Sequence, residues 1–238
     1  MISHDIVITK RASADRGASD LGWLDSKHTF SFGGYMDPDY VGFRSLRVIN
    51  QDIVAPGKGF DTHQHRSMEI FSYVIDGQLE NKDSLGNGRI IKTGEFQYMS
   101  AGDGVFHSEF NPQEAQPSHF LQIWIQPREQ GGEPRYRDFD IAEKRVENGL
   151  SLLASPDGRD NSAEIRQDAE IYFGAVQIGH RINIPESSAY QFAWVQVISG
   201  TIEIAHHSFS AGDGAEIEGN TFEIKAQDDA EFILFRLS

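Results

Sequence analysis

Two pairs of potential metal ligands, each spaced i, i+2, constrain the fold of this 238-residue chain more than any other feature. His63 and His65 form the first pair, and His107 and Glu109 form the second. Side chains two residues apart share a face when the backbone is extended, because successive side chains of a strand point to opposite faces. Each pair therefore predicts a strand, and two such strands side by side would bring three imidazoles and one carboxylate to one point.

This donor set suits a divalent transition metal such as iron, copper, nickel, cobalt or manganese. The alternative is that these are ordinary surface or core histidines satisfied by hydrogen bonds, since a lone His-x-His motif is common. Two pairs of matching parity, set among glycines and short apolar runs, are much rarer. The chain has no cysteine, which excludes disulfides and Cys-ligated zinc or iron–sulfur sites.

The composition predicts many short strands and turns. Glycine is frequent, with 23 residues, and 16 phenylalanines outnumber 4 methionines, which is typical of glycine-punctuated, strand-rich sequences. The net charge of -15 argues against direct nucleic-acid binding, which needs clustered Lys and Arg, and the acidic surface predicts a monomer. Residues 1–17 lack the apolar core of a signal peptide, and no stretch approaches the ~20 apolar residues of a membrane span. We therefore expect a cytoplasmic protein without membrane contact.

Two short matches within the chain indicate an internal repeat. Residues 74–80 (VIDGQLE) match residues 197–203 (VISGTIE), and Ala101–Gly104 is identical to Ala211–Gly214. Two copies of one small β-barrel explain both matches.

The repeat also predicts how many metal sites the chain has. With the residue offset of the first match, His63 and His65 correspond to Glu186 and Ser188. With the residue offset of the second match, His107 and Glu109 correspond to Ile217 and Gly219. We therefore expect one metal site, in the first barrel. The charged, glycine-containing stretch around residues 128–140 predicts the junction, giving a metal-binding domain at 1–133 and a domain without ligands at 134–238.

The ligand pairs lie within longer motifs. One set of residues resembles the first cupin motif, namely Gly57, His63, His65, Glu69 and Gly77. A second set resembles the second cupin motif, namely Gly94, Ala101, Gly102, His107 and Asn111. More narrowly, the chain resembles the pirin family in the segments WLDS (23–26), HTFSFGGY (28–35), LRVIN (46–50) and HSEFN (107–111). This resemblance is dense from about Gly22 to Pro127 and thinner afterwards. It implies an all-β fold of two tandem cupin (jelly-roll-like) β-barrels, a bicupin.

The resemblance also implies a function. Pirins hold a metal with the equivalents of His63, His65, His107 and Glu109, and several members resemble quercetin 2,3-dioxygenases. Such enzymes open the central ring of a flavonol with O2 and release CO. We expect one divalent metal, iron foremost, with copper, nickel, cobalt, manganese or zinc as alternatives, and a small aromatic, flavonol-like substrate. Glu109 would also be the catalytic base for the substrate hydroxyl.

Two other functions remain open from the sequence. One is a non-enzymatic, redox-sensitive iron-binding regulatory protein like eukaryotic pirin. The other is an enzyme whose physiological substrate is a different small enol or phenol.

Several further polar residues receive non-ligand roles. Glu69 is expected to be structural or to orient a histidine. His28 and His119 are expected to be hydrogen-bonded scaffold residues, and the adjacent His206 and His207 to lie on the surface, since neighbouring side chains of a strand point to opposite faces.

Overall fold

The structure is a computed structural model that describes residues 6–84, 86, 88–219 and 221–238. Its regular structure is almost entirely strand, which confirms the expected all-β class. The chain divides into two compact units, Gly17–Glu143 and a unit made of residues up to Arg16 together with Lys144–Ser238. None of the described helices is long and apolar enough to cross a membrane.

The strands are numbered along the chain. Up to residue 143 they are β1 (Val7–Arg11), β2 (Gly17–Asp20), β3 (Leu24–His28), β4 (Leu46–Val54), β5 (Gly59–His65), β6 (Glu69–Asp76), β7 (Gln78–Asp83), β8 (Gly88–Lys92), β9 (Glu95–Ser100), β10 (Val105–Phe110), β11 (Ser118–Ile125) and β12 (Arg135–Asp140). After residue 143 they are β13 (Gly149–Ser155), β14 (Ala163–Glu164), β15 (Ala169–Val176), β16 (Arg181–Ile184), β17 (Phe192–Ser199), β18 (Thr201–Ile204), β19 (His207–Ser210), β20 (Gly214–Glu218), β21 (Phe222–Ala226) and β22 (Ala230–Leu237). The described helices are single turns, at Ser13–Asp15, Ile141–Lys144 and Arg159–Asn161.

Each unit consists of a seven-stranded and a four-stranded sheet. In the first unit the orders are β12-β9-β6-β11-β4-β3-β2 and β5-β10-β7-β8. In the second they are β1-β20-β17-β22-β15-β13-β14 and β16-β21-β18-β19. Each strand in the sheet orders of the first unit has a counterpart at the same place in those of the second, so the internal repeat extends to the sheet topology. Two sheets with this connection pattern form the expected jelly-roll-like barrel.

The first sequence match marks equivalent hairpins. β6 and β7 meet at Gly77 in the first unit, as β17 and β18 meet at Gly200 in the second. Both glycines have positive φ values, 84° and 72°, a left-handed conformation that glycine adopts without a Cβ clash. The second match does not mark equivalent turns, because Ala101–Gly104 connects β9 to β10 whereas Ala211–Gly214 runs from β19 into β20. The tetrapeptide recurs because it suits any tight turn.

The structure divides the chain differently from the expected 1–133 and 134–238. β1 pairs with β20, so the N-terminal strand belongs to the second unit. β12 pairs with β9 along its whole length, so the first unit extends through it. The sequence of β12, RYRDFD, is that of a charged edge strand, and such a strand resembles a linker when its pairing partner is unknown.

The strand correspondence corrects which residues of the second unit are equivalent to the predicted ligands of the first. His107 pairs with His63 in the first unit, and Phe222 pairs with Ile184 at the corresponding place in the second. Ile224 takes the place of Glu109, two residues further along the strand. The expected counterparts Ser188, Ile217 and Gly219 were therefore wrong, and Glu186 corresponds to His65 rather than to His63. The core of the second unit includes Ile184, Phe222 and Ile224. The described residues of the second unit therefore contain no equivalent of the histidine cluster.

Candidate metal centre

Strands β5 and β10 bring three histidines together. They are adjacent and antiparallel, with His107 opposite His63 and Val105 opposite His65. The potential ligand atoms of His63, His65 and His107 all lie within 4.8 Å of one another. The structure therefore brings together these three predicted ligands, as the i, i+2 parity of the sequence implied.

The contact between His63 and His107 has the geometry of two ligands on one ion. Their Nε2 atoms lie 3.0 Å apart. Two nitrogens bound at about 2.1 Å to one metal and at right angles to each other would be separated by about 3.0 Å. His63 Nδ1 donates a hydrogen bond to the backbone oxygen of Asp61 at 2.8 Å, which fixes the proton on Nδ1 and leaves the Nε2 lone pair for a metal.

The surroundings keep two of the imidazoles neutral. Burial, with the neighbouring histidines as a smaller cause, lowers the pKa of His65 to about 3. Burial and then His63 lower the pKa of His107 to about 4. Since a metal binds the neutral imidazole, these two histidines need no deprotonation at neutral pH before they can bind an ion. His107 Nδ1 is buried without a hydrogen-bond partner among the described residues, so only its Nε2 faces the other rings.

Glu109 lies beside the cluster on the same strand as His107. It is 4% exposed, and burial raises its pKa, while the charge of His63 and two hydrogen bonds oppose that rise. Ser72 Oγ donates to Glu109 Oε1 at 3.3 Å and Gln122 Nε2 donates to the same atom at 2.5 Å. Both hydrogen bonds end on Oε1, so among the described residues Oε2 remains free to bind a metal or a proton.

His63, His65 and Glu109 line a cavity of roughly 460 Å³, a typical size for a small-molecule site. The Trp124 ring lies edge-on to His65, with 4.9 Å between ring centroids. The apolar part of the lining is formed by Leu21, Leu24, Phe32, Phe60 and Trp124. These side chains restrict water near the imidazoles and offer flat surfaces to an aromatic ligand.

Sequence reasoning missed a polar row on the wall of this cavity. Across β3, β4, β11 and β6, the strand register aligns His28, Asn50, Gln122 and Ser72. His28 Nδ1 lies 2.9 Å from Asn50 Oδ1 and must carry the proton, so its Nε2 accepts a hydrogen bond from Ser19 Oγ at 2.8 Å. The far end of the row reaches Glu109 through Gln122 and Ser72. The row therefore supports the carboxylate that the sequence had singled out.

Asp52 lies one inward-facing position further along β4. Ser26 Oγ donates a hydrogen bond to Asp52 Oδ1. Burial, with the charges of Glu109 and Asp25 as smaller causes, raises the pKa of Asp52 to about 7, and the Ser26 hydrogen bond opposes that rise. The sequence carried a signal for this residue, because in LRVINQDIV both Asn50 and Asp52 alternate in phase with apolar residues.

The remaining polar residues behave largely as expected. Glu69 accepts hydrogen bonds from Tyr98 and from Ser100, the latter at 2.7 Å, which is a structural role and not the orientation of a histidine. It points away from Ser72 because the two residues differ in parity on β6. His119 is hydrogen-bonded to Gln51 at 2.8 Å. His28 is hydrogen-bonded as expected, yet it also lines the cavity. His206 and His207 are exposed.

Comparison with known proteins places this site in a family. The family model described as Pirin matches residues 9–125, and the model described as Quercetinase C-terminal cupin domain matches residues 152–237. The chain is 43% identical over 234 residues to the quercetin 2,3-dioxygenase of Escherichia coli K12, covering 97% of this chain and 99% of that protein. It is 35% identical over 225 residues to a pirin-like protein of Caulobacter vibrioides, covering 92% and 94%.

Solved structures of similar proteins agree with these family matches. The crystal structure of bacterial pirin YhhW from Escherichia coli in complex with nickel(II) has a TM-score of 0.92 and 41% sequence identity, covering 97% of this chain and 99% of that chain. A second structure of YhhW also gives a TM-score of 0.92, with 42% identity and 98% of each chain covered. Two cupin barrels, the first of which holds the one histidine cluster found among the described residues, define a bicupin with a candidate metal centre. The chain belongs to the pirin family.

Proposed function

We propose that this protein is a metal-dependent dioxygenase that opens the central ring of a flavonol with O2 and releases CO. The observation that carries the proposal is the cluster of three imidazoles beside a buried carboxylate with a free oxygen. Two of these imidazoles and the carboxylate line a cavity whose surface is mostly apolar. The names of the relatives support the same activity.

The residues that would hold the metal are His63, His65, His107 and Glu109. Three imidazoles and one carboxylate fit a divalent ion, and four protein ligands leave coordination positions for substrate. We expect iron as the native ion, and the nickel(II) complex of a relative makes nickel an ion to test beside it. When bound, such an ion supplies Lewis acidity that lowers the pKa of a coordinated hydroxyl, together with redox capacity if it is iron.

The protein's own groups would handle the proton of the flavonol 3-hydroxyl. Burial raises the pKa of Glu109 above that of an ordinary glutamate, so its carboxylate is a stronger base than one in water. The hydrogen bonds from Gln122 and Ser72 hold Oε1 in place, so Oε2 would hold the metal and would have to leave it to take the proton. The apolar lining, including Phe60 and Trp124, would orient the flat rings of the substrate and restrict water.

Steady-state O2 uptake and flavonol loss test this proposal. Protein reconstituted with iron, nickel or another single metal is assayed with quercetin beside a His65→Ala variant. We expect turnover that depends on the metal and is absent from the variant. A matched control, His207→Ala, alters an exposed histidine of the second unit and should keep full activity.

The contrary outcomes separate the alternatives. Full activity without metal would show that the assigned site is wrong. Stoichiometric metal binding without turnover of any flavonol would contradict the dioxygenase proposal and favour a redox-sensitive iron-binding regulatory protein. Turnover of another small enol or phenol in preference to flavonols would keep the chemistry and change the substrate.

A further inference from the structure

The cavity contains a carboxyl group that the proposed chemistry does not use. Asp52 on β4 lies opposite Ser26 on β3, and it is 3% exposed. Its Oδ1 accepts a hydrogen bond from Ser26 Oγ. No other side chain among the described residues forms a hydrogen bond with this carboxylate, so one oxygen has no partner. Both Asp52 and Ser26 line the cavity that also contains His63, His65 and Glu109.

Such a group destabilises the protein unless a donor reaches it. The oxygen without a partner is not fully enclosed, so a molecule in the cavity can reach it, and a charge on so buried a residue costs free energy. Among the described residues no cation compensates Asp52, since the charges that act on it are those of Glu109 and Asp25, which are also acidic. A pKa of about 7 means that Asp52 at neutral pH can either accept a hydrogen bond from a hydroxyl group or donate one to it. A ligand hydroxyl group is therefore a suitable partner.

The second unit shows that the barrel does not need this pair. The strand register places Gly174 at the position of Asp52 and Leu150 at the position of Ser26. There the ring of Phe232 occupies the space, since a Cβ on Gly174 would lie 2.2 Å from it. The polar pair is thus present in the barrel with the histidine cluster and replaced in the barrel without it, which points to a role in the site and not in folding.

We propose that Asp52 and Ser26 form a subsite that binds a second hydroxyl group of the substrate, other than the one at the metal centre. The subsite selects polyhydroxylated flavonols over flavonols with a single hydroxyl group. This inference rests on the proposed function, which it deepens by naming the substrate class. Asp52 is a specificity-determining residue here, because a site that hydrogen-bonds a substrate hydroxyl rejects an analogue that lacks it.

Equilibrium binding without turnover tests the subsite. Nickel-loaded protein under nitrogen is titrated with quercetin and with 3-hydroxyflavone, which keeps only the hydroxyl group assigned to the metal centre. We expect wild type to bind quercetin roughly 10-fold more tightly than 3-hydroxyflavone. Asp52→Ala should bring the two Kd values to within about twofold, chiefly by weakening quercetin binding.

Two further variants complete the design. Asp25→Ala is the matched control, since Asp25 lies on β3 with its side chain 55% exposed, and it should keep the wild-type preference. Asp52→Val replaces the carboxylate with an apolar group of similar size, and it is the variant to use if the alanine variant does not fold. Circular dichroism and metal content verify that each variant is folded and loaded.

Each contrary result has its own meaning. An unchanged preference for quercetin in the Asp52 variants overturns the subsite and leaves the proposed function intact. Equal Kd values in wild type also overturn it, and they mean that water occupies this end of the cavity. Failure of both flavonols to bind wild type overturns the proposed function and the subsite together.

Discussion

The two barrels have the same strand order but different interiors. A polar row crosses the seven-stranded sheet of the first unit, formed by His28, Asn50, Gln122 and Ser72. The register places less polar side chains at the equivalent positions of the second unit, namely Leu152, Tyr172, Leu234 and Val195. The same backbone therefore supports either a row of polar side chains that reaches the candidate metal centre or mostly apolar side chains at the same positions.

The comparison separates the requirements of the fold from those of the site. Apolar side chains fill the second barrel because burying them is favourable and leaves no polar atom unsatisfied. The first barrel keeps costly buried groups, such as Glu109 and Asp52, which the fold does not need. The four predictions that follow test this difference, beginning with the largest expected effect.

The largest effect concerns metal binding. His65→Ala removes one of three converging imidazoles, so metal affinity should fall well beyond the roughly 10- to 100-fold loss that follows from removing a supporting hydrogen bond. Isothermal titration with nickel(II) or iron(II), with metal content as a second measure, checks this result. His207→Ala should bind metal as wild type does. Wild-type affinity in the His65 variant would place the metal elsewhere.

The next effect is a gain in stability that depends on pH. In the metal-free protein the pKa of Asp52 is about 7, raised by burial from 3.8, so between these values the unfolded chain is ionised while the folded chain keeps its proton. The free energy of unfolding therefore falls as pH rises through this window and levels off above it. Asp52→Asn lacks this titration, so it should exceed wild type by on the order of 4 kcal/mol at pH 8 and by little near pH 4.

Urea denaturation of metal-free protein at a series of pH values measures this difference. Asp76→Asn, at an exposed position of the first unit, should follow the wild-type profile closely. A stability difference between Asp52→Asn and wild type that does not vary with pH would contradict the assigned protonation.

The third prediction concerns a substitution that places a residue type of the second barrel at the equivalent position of the first. Gln122→Leu copies Leu234 into the first barrel and removes the 2.5 Å hydrogen bond to Glu109 Oε1. Metal affinity should fall by roughly 10- to 100-fold, since supporting hydrogen bonds orient metal ligands. Titration with the metals used for His65→Ala measures the loss. Unchanged affinity would mean that Glu109 does not need this support.

The smallest effect is expected from a substitution in the second barrel. Gly174→Ala adds a Cβ where the Phe232 ring lies 2.2 Å away, and overpacking of this kind costs about 1–3 kcal/mol. The free energy of unfolding should fall by that amount while metal affinity stays at the wild-type value. Thermal denaturation and a metal titration of the same preparation distinguish the two. A change in metal affinity would show that the second unit does not act independently of the site.

The sequence predicted the histidine cluster because its signal is local. The i, i+2 spacing of His63 and His65 fixes a shared face once the segment is extended, and His107 follows the same rule. The hairpin glycines Gly77 and Gly200 also carry a local signal, since each requires a positive φ value. Partners across strands carry no local signal, so Gln122 and Ser26 went unnoticed although their types and parity were visible in the sequence.

The two errors have the same origin. Ala211–Gly214 matched Ala101–Gly104 because tight turns select the same small residues wherever they occur. β1 and β12 were assigned by their position in the chain, whereas the partner of an edge strand is set by long-range pairing. Neither question can be settled from neighbouring residues.

By itself, the sequence determined the β class, the repeat, and the histidines that can share a face, because these follow from local parity and turn chemistry. Only the tertiary structure decided which strands are neighbours, and with that which polar groups line the cavity. It aligned Asn50 with Gln122, set Ser26 against Asp52, and placed a carboxyl group with a free oxygen in the same cavity as His63 and His65. The physical reason is that strand register is fixed by pairing between segments far apart in the chain, and each side chain takes its surroundings from that pairing.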